Sequence, residues 1–124
     1  MKILITTRGD FVSPRFDRSF EVIIASCYDQ QLLEDPHSIV FSSVSAELIC
    51  DFALKEKIDM VICGGIEEQH YQFLIWKKIT VFDSVIGPHE DVLRLAMDNA
   101  LAPGTILPGV HSREKTEINL EKQI

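Results

Sequence analysis

An α/β domain, with a short antiparallel part attached to a parallel part, is what this sequence predicts. Three observations carry the prediction. Met60 to Cys63 is a continuous apolar run of strand length, which reads as a strand covered on both faces. Gly64-Gly65 ends that run abruptly, and Glu67 and Glu68 then suit the first turn of a helix, where the macrodipole favours negative charge. Apolar runs of strand length alternate with helical spacing from Ser42 onward, the pattern of βαβ units. In open α/β sheets such strand ends are where ligands bind.

The elements follow in order. Ile3 to Ile5 reads as a first buried strand. Thr7-Arg8-Gly9-Asp10 is rich in turn residues, and Val12 to Arg18 continues as a loop in which Pro14 holds Ser13 extended. Phe20 to Ala25 is a second strand. Asp29-Gln30 turns it into a short third strand, Gln31 to Glu34, antiparallel to it and stopped by Asp35-Pro36. His37 falls in the loop that follows. Ser42-Ser43 precede a helix, with Ser43 as the N-cap and Val44, Leu48, Ile49, Phe52 and Ala53 on one face. Lys55 and Lys57 suit its C-terminal end. After the central strand comes a helix from about Glu67 to Lys77, with Ile66, His70, Phe73 and Leu74 on one face. Ile79 to Phe82 is a short strand. Gly87-Pro88 starts a third helix carrying Val92, Leu95, Ala96 and Asn99, and Pro103-Gly104 ends it. The order is β-β-β-α-β-α-β-α, in one domain spanning 1–103. Residues 104–124 read as a polar, mixed-charge tail from Ser112, mobile or packed only in a homo-oligomer.

Composition narrows the function. The chain has 124 residues, enough for one ordinary core. No apolar run approaches the roughly 20 residues of a membrane span, and the opening apolar segment is too short for a signal peptide. The expected location is therefore the cytoplasm, with no membrane partner. A net charge of −7 argues against nucleic acid. Residues 1–20 run the other way, with Lys2, Arg8, Arg15 and Arg18 against Asp10 and Asp17, which points to a small anion. Cys27, Cys50 and Cys63 are odd in number and show no C-x-x-C, so neither a disulfide framework nor a zinc ribbon is expected.

The candidate chemistry is sparse. Cys63 reads either as a small buried apolar residue or as a soft thiolate for a thiophilic metal or metal–sulfur cluster. Gly64 and Gly65 either pack a helix on a strand or let a ligand approach the backbone. Arg15 and Arg18 either pair with Asp10 and Asp17 or clamp an anion. Ser42 and Ser43 either cap a helix or bind an anion at its start. Among the histidines, His37 and His89 are the better ligand candidates, while His70 falls on an apolar helix face. There is no Walker A motif, no G-x-G-x-x-G and no G-x-S-x-G, and the first strand carries no carboxylate. No catalytic constellation emerges, so the chain is expected not to be an enzyme.

Met1-Lys2-Ile3, the loop Val12-Ser13-Pro14-Arg15-Phe16-Asp17-Arg18 and the run Asp59-Met60-Val61-Ile62-Cys63-Gly64-Gly65-Ile66 together resemble one family. It is the dinitrogenase iron–molybdenum cofactor biosynthesis family, which includes cofactor carriers of the NifX and NafY type. The resemblance runs from Met1 to about Leu101. It implies a three-layer fold of ribonuclease H-like topology with a mixed sheet, and a non-enzymatic role in carrying an iron–molybdenum or iron–sulfur cluster. The family's usual V-S-P-H-F-G-R has Arg15 in place of the histidine and Asp17 in place of the glycine. Its usual G-G-I-G-P becomes Gly64-Gly65-Ile66-Glu67-Glu68, and the segment before the first helix lacks the usual histidine and glycine.

The leading expectation is thus a cluster carrier that hands its cargo to a receiving protein. Cys63 is the soft ligand, with His37 or His89 supporting it. Arg15, Arg18, Ser42, Ser43, Gly64 and Gly65 form the surrounding cleft at one end of the sheet. The alternative is a degenerate family member that acts as a regulatory or protein-interaction module without a cofactor.

Overall fold

In the computed structural model, which describes residues 1–108, β1 (Lys2–Arg8) is the strand on which the others are laid. Ile3 to Thr7 are buried without interruption, as expected for a strand covered on both faces. β2 (Phe11–Val12) folds back on the end of β1. β3 (Glu21–Tyr28) pairs antiparallel with one edge of β1. β4 (Gln31–Leu32) and β5 (His37–Val40) both pair antiparallel with the far edge of β3. β6 (Met60–Ile62) is parallel to β1 on its other side, and β7 (Thr80–Phe82) is parallel to β6. The sheet is therefore mixed, and β1 is its middle.

Three helices sandwich the sheet: α1 (Ala46–Lys55), α2 (Glu68–Trp76) and α3 (His89–Met97). Strand alternation sends successive side chains to opposite layers. Leu4, Val22, Ile24 and Val61 meet Ile49, Cys50 and Ala53 of α1 and Leu74 of α2. Ile3, Ile5, Ala25 and Ile62 meet Val92, Leu93 and Ala96 of α3 on the other side.

All three helices end in the same way. Lys57, Lys78 and Asn99 take left-handed φ values of 57°, 66° and 59°. Their N–H groups donate to Leu54, Ile75 and Ala96, and the next residue's N–H donates to Ala53, Leu74 and Leu95. This is the Schellman arrangement, with a non-glycine residue at each left-handed position.

Several expectations need correction. The strand read at Met60 to Cys63 is interior but ends at Ile62, one residue short of Cys63, and the hub is β1. Asp29 and Gln30 do form the turn, both at positive φ, yet the strand after it stops at Leu32. His37 lies in β5, not in a loop. That strand is an edge strand whose residues are mostly exposed, so it lacks a buried face to set up an apolar alternation. The N-cap of α1 is Ser45, whose Oγ accepts from Leu48 N–H at 3.2 Å, and not Ser43. The buried face of α1 shifts with it to Ala46, Ile49, Cys50 and Ala53, leaving Val44 and Leu48 exposed. α3 stops at Met97, ahead of Pro103-Gly104, because Asn99 turns left-handed. The chain stays on the domain beyond 103: Ile86 N–H donates to Thr105 O at 2.9 Å and Leu107 N–H to Ile86 O at 2.8 Å. The tail from Ser112 lies outside the described residues.

Candidate functional site

The C-terminal ends of β1 and β6 are closed by the chain's own 12–19 loop. Gly65 N–H donates to Pro14 O at 2.8 Å, and Phe16 N–H donates to Gly65 O at 2.7 Å, which zips the loop to the glycine turn like a parallel strand. A Cβ on Gly64 would collide with the carbonyl oxygens of Ser13 and Pro14, and would lie 2.6 Å from the Pro14 carbonyl carbon. On Gly65 it would meet only Pro14 O at 3.6 Å, an ordinary contact. The close approach that needs glycine is thus made by Ser13-Pro14 and occurs at Gly64 alone. Inside the loop, Ser19 Oγ is 2.8 Å from Ser13 Oγ and donates to Arg15 O at 2.6 Å. Phe16, fully buried, anchors the loop in the α1/α2 layer, with its ring centroid 6.1 Å from that of His70.

Cys63 is fully buried on that same layer, directly after β6. Burial first, then Asp83 and Cys50, push its thiol up well beyond the ordinary range. It is a neutral core thiol at neutral pH. The register Ile5↔Ile62 sets Thr6 across from it. Thr6 Oγ1 is buried and has no hydrogen-bond partner among the described residues. Sequence reading passed over Thr6 because an isolated threonine in a strand carries no signal.

Arg15 is held by its neighbour. Its Nε lies 3.1 Å from Asp17 Oδ1 and a terminal nitrogen lies 3.2 Å from Oδ2, a two-pronged pair. The hydrogen bond from Arg15 lowers the Asp17 pKa, and Asp17 in turn raises that of Arg15. Arg18 ends the short 3₁₀ turn Phe16–Arg18 and is exposed, with no side-chain ion pair among the described residues. Ser42 and Ser43 are exposed just ahead of α1. They follow β5, whose Val40 pairs with Glu21 near the end of β1 that carries the loop. The loop, the serines and Gly64-Gly65 therefore share one end of the sheet.

The histidines lie apart from Cys63. His37 sits on the outer strand β5, with Nε2 3.2 Å from Glu34 Oε2. It lines a cavity with Lys2 and Glu56 toward the other end of β1. His89 opens α3 on the opposite layer, its N–H donating to Asp10 O at 2.9 Å. Among the described residues, no group of three or more His, Cys, Asp or Glu is arranged to hold a metal ion.

A second feature adjoins the loop. Glu47, Cys50 and Asp51 of α1 and Gln69, His70 and Phe73 of α2 line an open groove of about 260 Å³. Its sequence signal is plain helical spacing, Glu47 to Asp51 and Gln69 to Phe73, which reads as surface until the two helices are set side by side.

Residues 1–99 match the family described as dinitrogenase iron-molybdenum cofactor. The chain belongs to that family. No curated protein matches it. Solved structures resemble this family member in fold. The crystal structure of PH0822 superposes with a TM-score of 0.75 at 18% identity, covering 83% of this chain and 94% of that one. A Methanocaldococcus jannaschii protein, provisionally titled a dinitrogenase, gives a TM-score of 0.67 at 21% identity, covering 82% and 92%. A Thermotoga protein, provisionally titled NifB, gives 0.63 at 15% identity, covering 86% and 96%. At these identities the likeness concerns the fold alone. No helix among the described residues is long and apolar enough to cross a membrane.

Proposed function

We propose that this chain is a non-enzymatic accessory protein of dinitrogenase-type cofactor biosynthesis, and that it acts there as a protein-interaction module in the cytoplasm. Family membership supports the pathway. One observation carries the choice of module over carrier: Cys63, which directly follows β6, is fully buried in the α1/α2 core layer, and the glycine turn next to it is closed by the chain's own loop. A cysteine that ligates a metal–sulfur cluster does so as a thiolate and must be reachable. Here burial disfavours the thiolate, His37 sits on the outer strand β5, and His89 opens α3 on the opposite layer. Arg15 is engaged by Asp17, so of the two clamp residues only Arg18 has no ion pair among the described residues. The residues present do not fit a tightly held iron–molybdenum or iron–sulfur cluster. The order β5-β3-β1-β6-β7, in which β3 runs antiparallel to both neighbours while β6 and β7 run parallel to β1, supports a ribonuclease H-like topology for the module.

Thr6 favours the second reading, carriage of a cluster as cargo. Its unpartnered hydroxyl lies across from Cys63, and hydrogen bonds to cluster sulfurs are one way a protein holds such a group. That reading needs the 12–19 loop to lift. Anaerobic reconstitution with iron or molybdenum and sulfide decides between them, comparing wild type with Cys63→Ser. The module reading expects no stoichiometric uptake by either protein. Stoichiometric uptake by wild type that Cys63→Ser abolishes would establish the carrier instead.

A further inference from the structure

The groove between α1 and α2 combines an apolar lining with an acidic rim. Cys50, 4% exposed, His70 and Phe73 line it with apolar and aromatic surface. Its rim carries Glu47 and Asp51, both exposed and one helical turn apart on α1. Like charges at that spacing repel and weaken the helix that bears them. Neither carboxylate forms an ion pair with a lysine or arginine among the described residues. Glu47 accepts a hydrogen bond from the Ser45 hydroxyl at 3.4 Å and from no other group among the described residues. Glu67 adds a third carboxylate nearby, 3.6 Å from His70 Nε2. Lys77 lies over Phe73 at 5.7 Å but closer to Trp76, at 4.6 Å.

Size helps to select the occupant. Pockets for drug-sized ligands run to about 300–1,000 Å³. This groove, at about 260 Å³, suits a side chain better than a cofactor. Charge selects a cation. The flat rings of Phe73 and His70 favour a planar one, because a guanidinium stacks on aromatic faces while its N–H fork pairs with carboxylates.

We propose that the α1–α2 groove is a docking site for an arginine side chain presented by a partner protein. The guanidinium pairs with Glu47 and Asp51 and lies against Phe73. The inference rests on the interaction-module reading and gives that module its contact surface. It uses none of the residues of the loop or of Cys63.

The test is an amide NMR titration of the full chain with a helical, alanine-based peptide carrying two arginines and two leucines on one face. The same peptide with glutamate in place of arginine is the control. The expected result is shifts confined to residues 47–51 and 69–73, with binding weakened at least tenfold in Glu47→Gln/Asp51→Asn and absent for the glutamate peptide. Both substituted positions are exposed, so the variant should fold, and its own amide spectrum checks this. Equal binding by the variant, shifts on another surface, or no binding of the arginine peptide would overturn the proposal. Cluster uptake in the reconstitution above is independent of these two positions, so failure of the module reading and failure of the groove are told apart.

Discussion

At the scale of single residues, two adjacent glycines that look alike in sequence do different work. Gly64 is pressed by the Ser13-Pro14 backbone, and Gly65 is not. Backbone carbonyls cannot swing aside as a flexible side chain can. Gly64→Ala should therefore destabilise by about 2–3 kcal/mol or more, the range of overpacked sites, and loosen the 12–19 loop. Gly65→Ala should cost less than about 1 kcal/mol. Urea denaturation of the two variants checks this, and equal losses would show that the loop does not bear on Gly64 as described. The motif Gly64-Gly65 was legible in the sequence as a tight approach. What approaches was not, because the partner lies fifty residues away in the chain.

At the scale of elements, the start of α1 shows how local chemistry underdetermines geometry. Ser42, Ser43 and Ser45 are all good N-cap residues, and sequence spacing alone does not choose among them. The choice follows from packing. Ile49, Cys50 and Ala53 must face the sheet, and this fixes the helix phase so that Ser45 Oγ reaches Leu48 N–H. Ser45→Ala should lower stability by about 1 kcal/mol, whereas Ser43→Ala should change it by less than about 0.5 kcal/mol. Thermal or urea unfolding distinguishes the two, and a larger loss at Ser43 would move the cap. α2 was easier to read, because Gly64-Gly65, Glu67 and the spacing of His70 and Leu74 all agree on one register. The Schellman ends at Lys57 and Lys78 were not expected, since glycine is the usual signal there and lysine gives none.

At the scale of the whole molecule, two thiols share the α1/α2 core layer, and both are held in the neutral form. Burial, then Asp51 and Glu47, push the Cys50 thiol from 9.0 up to about 11, and burial pushes Cys63 up further. A folded-state pKa raised above the unfolded one means that the native state binds the proton more tightly. The associated stability is fully present below about pH 9 and is lost as the pH rises toward 11. Denaturation midpoints measured from pH 7 to 11 should fall along that limb, and Cys50→Ala should flatten part of the fall. An identical alkaline limb in the variant would remove Cys50 from the effect. The same burial should keep both native thiols slow toward alkylating reagents at neutral pH.

The sequence by itself determined the α/β class, the buried strand at Met60–Ile62, the glycine turn, the helix after it and the family, because each rests on contiguous residues whose apolar runs, turn residues or motif order are visible in one dimension. Only the tertiary structure decided that β1 is the hub, that β5 edges the sheet, and that the 12–19 loop closes the glycine turn beside the buried Cys63. Those outcomes depend on which distant segments share a surface. Strand neighbours are set by the burial of both faces of the sheet at once, and no local pattern encodes that.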